Sequence, residues 1–315
     1  RGRRRIERQT AAVEIAVPRM LHRSLVVVAA LSALTAAEPS RLASGVPDEF
    51  KQQLLEQINR DRLLAQRPPV QFSPELSAAA DAHCREMLEH GYVSHWNRAG
   101  WKPYLRYAQA GITDYTAENV WGLRHSDFDP SPEHLLETMF AAHRSFMAEV
   151  PPNDGHRRSI LDPNHTHVGI GVAYGPPGMR LIEVFGGRYA ELEPLPAQSR
   201  LRDPVTLRGR VLAGVRLFGI AVFYEPLPRP LSLLELAATS SYSLPEEERT
   251  FYAMASDRWQ SRADSHRMQQ LPGGRFLFPV PFWKGRPGVY TVGVWVTRDG
   301  QNGFLGALTA TFVTE

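Results

Sequence analysis

The stretch GHRRSILDPNHTHVGIGVAY, residues 155–174, decides how this chain is read. A histidine follows a glycine, two arginines and a short apolar run follow the histidine, and an Asp-Pro break precedes an alternating β-type segment. The continuation to residue 187 carries a Gly-Pro-Pro-Gly turn at 175–178 between two β-rich runs, which predicts an antiparallel hairpin. GIGVAYG (169–175) loosely resembles a nucleotide-binding glycine pattern. It lies inside a strand and opens no helix, so it carries no such function. Upstream stand SHW (94–96) and AENV (117–120). Whether these His and Glu residues meet around one site is the question on which function turns.

Around this stretch, residues 47–190 alternate helices with some strand. PDEFKQQLLEQINRDRLLAQ (47–66) puts Phe50, Leu54, Leu55 and Ile58 on one helical stripe. SPELSAAADAHCREMLEHG (73–91) has Ser73 to cap it, Pro74 at the first helical position and Gly91 to end it. SPEHLLETMFAAHRSFMAE (131–149) repeats the Ser-Pro-Glu opening, with Leu135, Leu136, Met139, Phe140 and Phe146 at helical spacing. Residues 191–204 form a Pro-rich linker. Beyond it, 205–315 reads as short strands separated by Gly/Pro turns. Tyr290, Val292, Val294 and Val296 share one face of such a strand. This spacing predicts an all-β, Ig-like antiparallel sandwich as an accessory domain.

The N-terminal region has a different grammar. Residues 1–19 are basic and aperiodic and read as upstream read-through. Residues 20–37 (MLHRSLVVVAALSALTAA) have a short basic start, an apolar run and small residues before Glu38, the layout of a secretory signal peptide. The expected location is therefore secreted, extracellular or periplasmic. A membrane tie would come only through an uncleaved signal. Residues 1–37 carry seven Arg and two Glu, a net +5 in a chain of +3, which leaves 38–315 at −2. The basic balance belongs to the leader, and nothing points to nucleic acid. The single cysteine, Cys84, permits no internal disulfide and sits in an apolar helical pattern as a small buried hydrophobe.

Nine of the eleven histidines lie between 83 and 167. His90, His125, His134 and His143 occur where a solvated side chain is the default. His165 and His167 share a strand face that reads as an exposed edge. His95 and His156 sit instead at helix junctions, where scaffold-held site residues concentrate.

Four ordered stretches then carry a resemblance: INRDRLLAQRPPVQFSPELSAAADAHCREML (58–88), GYVSHWNRAG (91–100), PYLRYAQAGI…AENVWG (103–122) and GHRRSILDPNHTHVGIGVAY. Together they resemble the bacterial, SCP-like branch of the CAP superfamily of cysteine-rich secretory, antigen 5 and pathogenesis-related proteins. The resemblance covers residues 48–190 and implies a three-layer α/β/α sandwich, so that the whole chain is α+β. It implies a cleft holding His95, His156 and Glu118, with Glu149 as the fourth member, three residues after Phe146. It also matches Arg106 to a recurring arginine, read here as structural.

Two imidazoles make a partial ligand set for Zn²⁺ or another divalent cation, in an exchangeable site. Glu118 and Glu149 are the candidate catalytic carboxylates, able to activate a water or to orient an imidazole. The alternative is a buried polar network in which Glu and His pair to hold loops. Three functions stay open: a binding module for an extracellular small molecule, lipid, peptide or wall fragment; a metal-dependent, peptidase-like hydrolase; and a glycan or protein partner for the β domain, with Trp259, Trp283 and Trp295 as stacking surface. No G-x-S-x-G elbow, H-E-x-x-H helix or P-loop offers another catalytic route.

Overall fold

The computed structural model describes residues 43–125, 128–239, 241–253, 268–299 and 302–315. The read-through and signal-peptide assignments and Trp259 lie outside the described residues.

The first domain is a mixed sheet between two helical layers. The sheet runs β1 (Ala43–Ser44), β4 (His167–Gly175), β5 (Gly178–Gly187), β3 (Tyr115–Arg124), with β2 (Gln71–Phe72) pairing β4 in parallel. The expected hairpin is β4–β5, with Gly175 opposite Gly178 across the Pro-Pro turn and Gly178 at φ 120°. One layer holds α1 (Asp48–Leu64), α4 (Pro132–Met147) and α5 (Gly155–Leu161). Leu54, Ile58, Met139, Phe146 and Ile160 pack there on Val168, Ile170, Leu181 and Phe185. The other layer holds α2 (Pro74–His90) and α3 (Pro103–Gln109), whose Leu76, Cys84, Met87 and Tyr107 pack on Val120, Ile182 and Val184. Cys84 is a free, fully buried thiol.

Helix α2 begins and ends as its sequence predicts. The Leu76 N–H donates to the Ser73 hydroxyl, and Gly91 closes the helix at φ 71°. Helix α4 differs: Ser131 makes no cap hydrogen bond, because its hydroxyl donates to Asp129 at 2.8 Å.

The glycines of GIGVAYG serve packing. A Cβ on Gly169 would lie 2.4 Å from the Leu76 Cβ, and one on Gly171 would lie 2.4 Å from the Ala80 carbonyl carbon. Helix α2 thus rests its backbone on β4. It also repairs the ladder there, since Ile170 N–H donates to the Ser77 hydroxyl and Val172 N–H donates to Asp81. The second Asp81 oxygen pairs with the buried Lys51 ammonium at 2.7 Å, tying α1 to α2.

The second domain is a two-sheet β sandwich. One sheet runs β10 (Glu247–Tyr252), β9 (Arg216–Glu225), β13 (Gly288–Thr297), β14 (Gly303–Thr314), β7 (Gln198–Arg200). The other runs β11 (Gln269–Gln270), β12 (Arg275–Pro279), β8 (Thr206–Val211), β6 (Ala190–Leu192). Tyr290, Val292, Val294 and Val296 point together into its core. Two details depart from the sequence reading. The Pro-rich 191–204 segment contributes β6 and β7 rather than only linking, and β7 joins β14 in parallel. Short strands bounded by proline carry too little periodicity to be seen in sequence.

The two domains share an apolar interface. Tyr104, Leu105 and Ala108 of α3 pack with Val289, Leu305, Leu308 and Ala310, and Trp101, Trp295 and Phe312 lie against them. Trp295 thereby belongs to the domain interface, and the Trp283 indole N–H donates to the Val222 carbonyl at 3.1 Å.

Candidate functional site

Strand β3 is the outer strand of the first sheet, so groups from both helical layers can meet around it. Glu118 projects from β3 into the α2/α3 layer, and the next residue, Asn119, faces the α4/α5 side. His95 lies in the loop after α2, and His156 lies in the first turn of α5.

Glu118 is fully buried and densely held. The Arg106 guanidinium Nη2 donates to both carboxylate oxygens, at 2.8 and 2.7 Å. The Tyr107 hydroxyl donates at 2.6 Å, and His95 Nδ1 lies 3.1 Å from Oε1. Burial alone would raise this carboxyl, but Arg106 and His95 outweigh it and hold the group well below the usual carboxylate range. The same pairing raises the Arg106 guanidinium against its own desolvation. Arg106 also donates to the His95 carbonyl at 3.1 Å, so one side chain fixes both the carboxylate and the loop.

His156 has the parallel arrangement on the other layer. Its Nδ1 hydrogen-bonds Glu149 Oε1, while its backbone N–H and that of Arg157 donate to Glu149 Oε2 at 2.9 and 3.4 Å. Glu149 follows α4, the 150–154 segment with its cis Pro151–Pro152 bond returns the chain, and α5 begins at Gly155. The His156 ring lies tilted by 36° against Phe146, 4.6 Å between centroids. Burial lowers its affinity for a proton and His95 lowers it further, which outweighs Glu149 and favours the neutral ring. The two His/Glu pairs are therefore within electrostatic reach of each other.

Each histidine is anchored through Nδ1 to a carboxylate, and each has a buried Nε2 with no protein hydrogen-bond partner. Two imidazole nitrogens left over in this way suit a divalent cation. Both carboxylates are already committed, which matches a two-histidine donor set. No cluster of three or more His, Cys, Asp or Glu side chains arranged for a metal ion occurs among the described residues.

Sequence reasoning missed several neighbours. His143, expected to be solvated, is fully buried between Glu183 (2.7 Å) and Asp61 (3.0 Å). Burial would lower its imidazole, but the two carboxylates push it up to about 9. His165, read as an exposed edge, is buried, stacks on Phe185 and hydrogen-bonds the Ser159 carbonyl at 2.8 Å. Asn119 donates to the His156 carbonyl at 3.1 Å and so links β3 to α5. Tyr242, from the second domain, accepts the Glu118 backbone N–H at 2.9 Å and sets its ring 4.8 Å from that of His95. The place of Asn119 in AENV is a usable signal for it, whereas nothing local marks Tyr242.

Residues 55–188 match the family model described as CAP, the cysteine-rich secretory protein family. The uncharacterized protein YkwD of Bacillus subtilis is 25% identical over 139 residues, covering 43% of this chain and 48% of the relative. The chain thus spans about half the length of the curated relative it matches. Among solved structures, an extracellular protein containing an SCP domain from Bacillus anthracis is 19% identical, with a TM-score of 0.35 over 46% of this chain and 45% of that one. An outer surface protein of Borrelia burgdorferi is 13% identical, with a TM-score of 0.38 over 47% of this chain and 98% of that one.

Proposed function

The chain belongs, through residues 55–188, to the cysteine-rich secretory protein (CAP) family as a bacterial SCP-like member, and on that premise we propose that its cleft binds a divalent cation together with an extracellular ligand. It is a protein of the CAP/SCP type, and an extracellular setting belongs to the proposal. No helix among the described residues is long and apolar enough to cross a membrane. Export through the 20–37 segment is part of the same proposal.

The observation that carries the reading is the pair of buried, unpartnered Nε2 atoms on His95 and His156. These two nitrogens would hold the ion, Zn²⁺ being the natural candidate for imidazole donors. Such an ion supplies a Lewis-acidic point for an oxygen of a ligand. Glu118 and Glu149 orient the rings through Nδ1 and hold the tautomer that leaves Nε2 free. With only His95 and His156 as protein donors, the site would hold an exchangeable ion and would leave room for an oxygen donor of a ligand. A small molecule, lipid, peptide or wall fragment bearing an oxygen donor fits this description.

The engagement of both carboxylates favours binding over hydrolysis. Glu118 accepts from Arg106, Tyr107 and His95, and a carboxylate held so strongly in its ionised form is a poor proton acceptor.

The test is a calorimetric zinc titration of the full chain beside a His95→Ala/His156→Ala double variant. Saturable one-site binding that disappears in the double variant supports the reading. Absent binding, or binding that the substitutions leave unchanged, would make the four residues a structural network. Zinc-dependent turnover of a peptide or ester library, abolished in Glu118→Gln, would restore the hydrolase reading.

A further inference from the structure

The CAP cleft is not built by the CAP domain alone. Strands β9 and β10 pair as neighbours in the second domain, with Tyr224 opposite Glu247, yet the chain between them leaves the sandwich. Residues 226–239 and 241–246 run across the first domain, with a short helix α6 (Leu233–Ala237) on the way. A connection of this length that crosses another domain is a candidate for function rather than mere linkage.

The strap is anchored along its length. At its start, Glu225 accepts from the Lys102 ammonium at 2.7 Å and from the Tyr104 hydroxyl at 2.6 Å. Leu231 N–H then donates to the Arg98 carbonyl at 2.8 Å. At Gly100, φ is 78° and a Cβ would lie 2.2 Å from the Arg229 carbonyl oxygen, so only glycine admits the strap backbone there. Helix α6 has a complete capping box from Ser232 and Glu235 and buries Leu236 fully in the α2/α3 core. Thr239 and Ser94, the residue before His95, hydrogen-bond through their hydroxyls at 2.5 Å.

These anchors deliver Tyr242 to the site. Its hydroxyl oxygen accepts the backbone N–H of Glu118, and its ring meets the His95 ring at 60°. Burial and the Glu118 charge both push that hydroxyl up, keeping it a neutral phenol. His95 is thus fixed from two sides, by Glu118 at Nδ1 and by the Tyr242 edge, with Nε2 left over.

We infer that the second domain completes the cleft: its strap, residues 226–239 and 241–246, is a fixed wall, and Tyr242 is a positioning residue that sets the orientation and accessibility of His95. The role of the β sandwich is then to hold this strap in place. The inference stands whether or not the cleft binds a metal, because it concerns the His95 imidazole itself.

The experiment measures acylation of individual histidines by diethyl pyrocarbonate in the full chain without added metal, read by peptide mass spectrometry. In the native chain His95 and His156 should both react slowly, since both Nε2 atoms are buried. Tyr242→Ala should raise the His95 rate at least fivefold and leave His156 within twofold, and Tyr242→Phe should give a smaller rise. A general loosening would raise both histidines together, and that outcome overturns the positioning role. So does a His95 rate in Tyr242→Ala within twofold of native with an unchanged circular dichroism spectrum.

Should Tyr242→Ala not fold, a Ser94→Cys/Thr239→Cys protein answers for the wall. Two side chains already in contact should close a disulfide in high yield under mild oxidation, with the His95 rate unchanged within twofold on reduction. Failure of the disulfide to form, or a His95 rate that rises severalfold on reduction, would show a strap that is not a fixed wall.

Discussion

Arg106 and Glu118 form a buried ion pair in which one guanidinium nitrogen reaches both carboxylate oxygens, at 2.8 and 2.7 Å. Arg106 has a structural role, as its place in the sequence implies: it anchors the carboxylate that orients His95. Removing one partner of a buried pair leaves the other charge desolvated and uncompensated, which costs about 3–5 kcal/mol. Arg106→Ala should therefore lower the unfolding free energy by about that amount in urea denaturation. Arg106→Lys should recover only part of it, because an ammonium is more strongly hydrated than a guanidinium and costs more to bury at the same contacts. A loss under about 1 kcal/mol for Arg106→Ala would show that the pair is solvated.

The Asp61–His143–Glu183 triad predicts a pH dependence. His143 is raised from its ordinary value to about 9 in the folded state. A raised histidine stabilises fully below its unfolded value near 6.5 and loses that contribution as pH climbs through 9. The native chain should lose on the order of 3 kcal/mol between pH 6 and 9.5 from this group. His143→Gln should be less stable at pH 6 and show a flatter profile over the same window. Parallel denaturation curves at the two pH values decide it, and identical slopes in both proteins would refute the coupling.

The seating of α2 on β4 predicts an intolerant glycine. A Cβ at Gly171 would come within 2.4 Å of the Ala80 backbone and 2.5 Å of its Cβ, so α2 must move. Gly171→Ala should cost about 3 kcal/mol, the upper end for overpacking. That corresponds to a fall in Tm of roughly 6–12 °C in calorimetry. The equivalent change at Gly111, where a Cβ meets nothing within 4 Å but φ is 79°, should cost less.

Glu149 predicts an effect on metal affinity without loss of fold. It accepts from the His156 ring and from two backbone N–H groups. Carboxylates that orient a ligating histidine typically contribute 10–100-fold in affinity. Glu149→Ala should therefore weaken zinc binding by roughly that factor in calorimetry. Unchanged affinity in a folded Glu149→Ala protein would detach this carboxylate from the site.

Much of the scaffold could be read from local pattern alone. Ser73, Pro74 and Gly91 mark the ends of α2, the Gly-Pro-Pro-Gly turn marks the β4–β5 hairpin, and the alternation from Tyr290 to Val296 marks the inward face of β13. Each depends on neighbours within a few residues, where backbone geometry sets the period. His95 and His156 were also visible as junction residues, and the ordered motifs named the family.

What the tertiary structure decided is which faces meet. His143 has an unremarkable helical context, and only the docking of α1 and β5 against α4 converts it from a solvated to a doubly paired side chain. The Pro-rich 191–204 segment becomes sheet because β8 and β14 offer it edges. Tyr242 lies 124 residues from Glu118, and no local period encodes that hydrogen bond. Periodicity fixes the direction in which a side chain leaves its own helix or strand. Its partner is chosen by burial summed over the whole chain, and that choice appears only when the layers have packed.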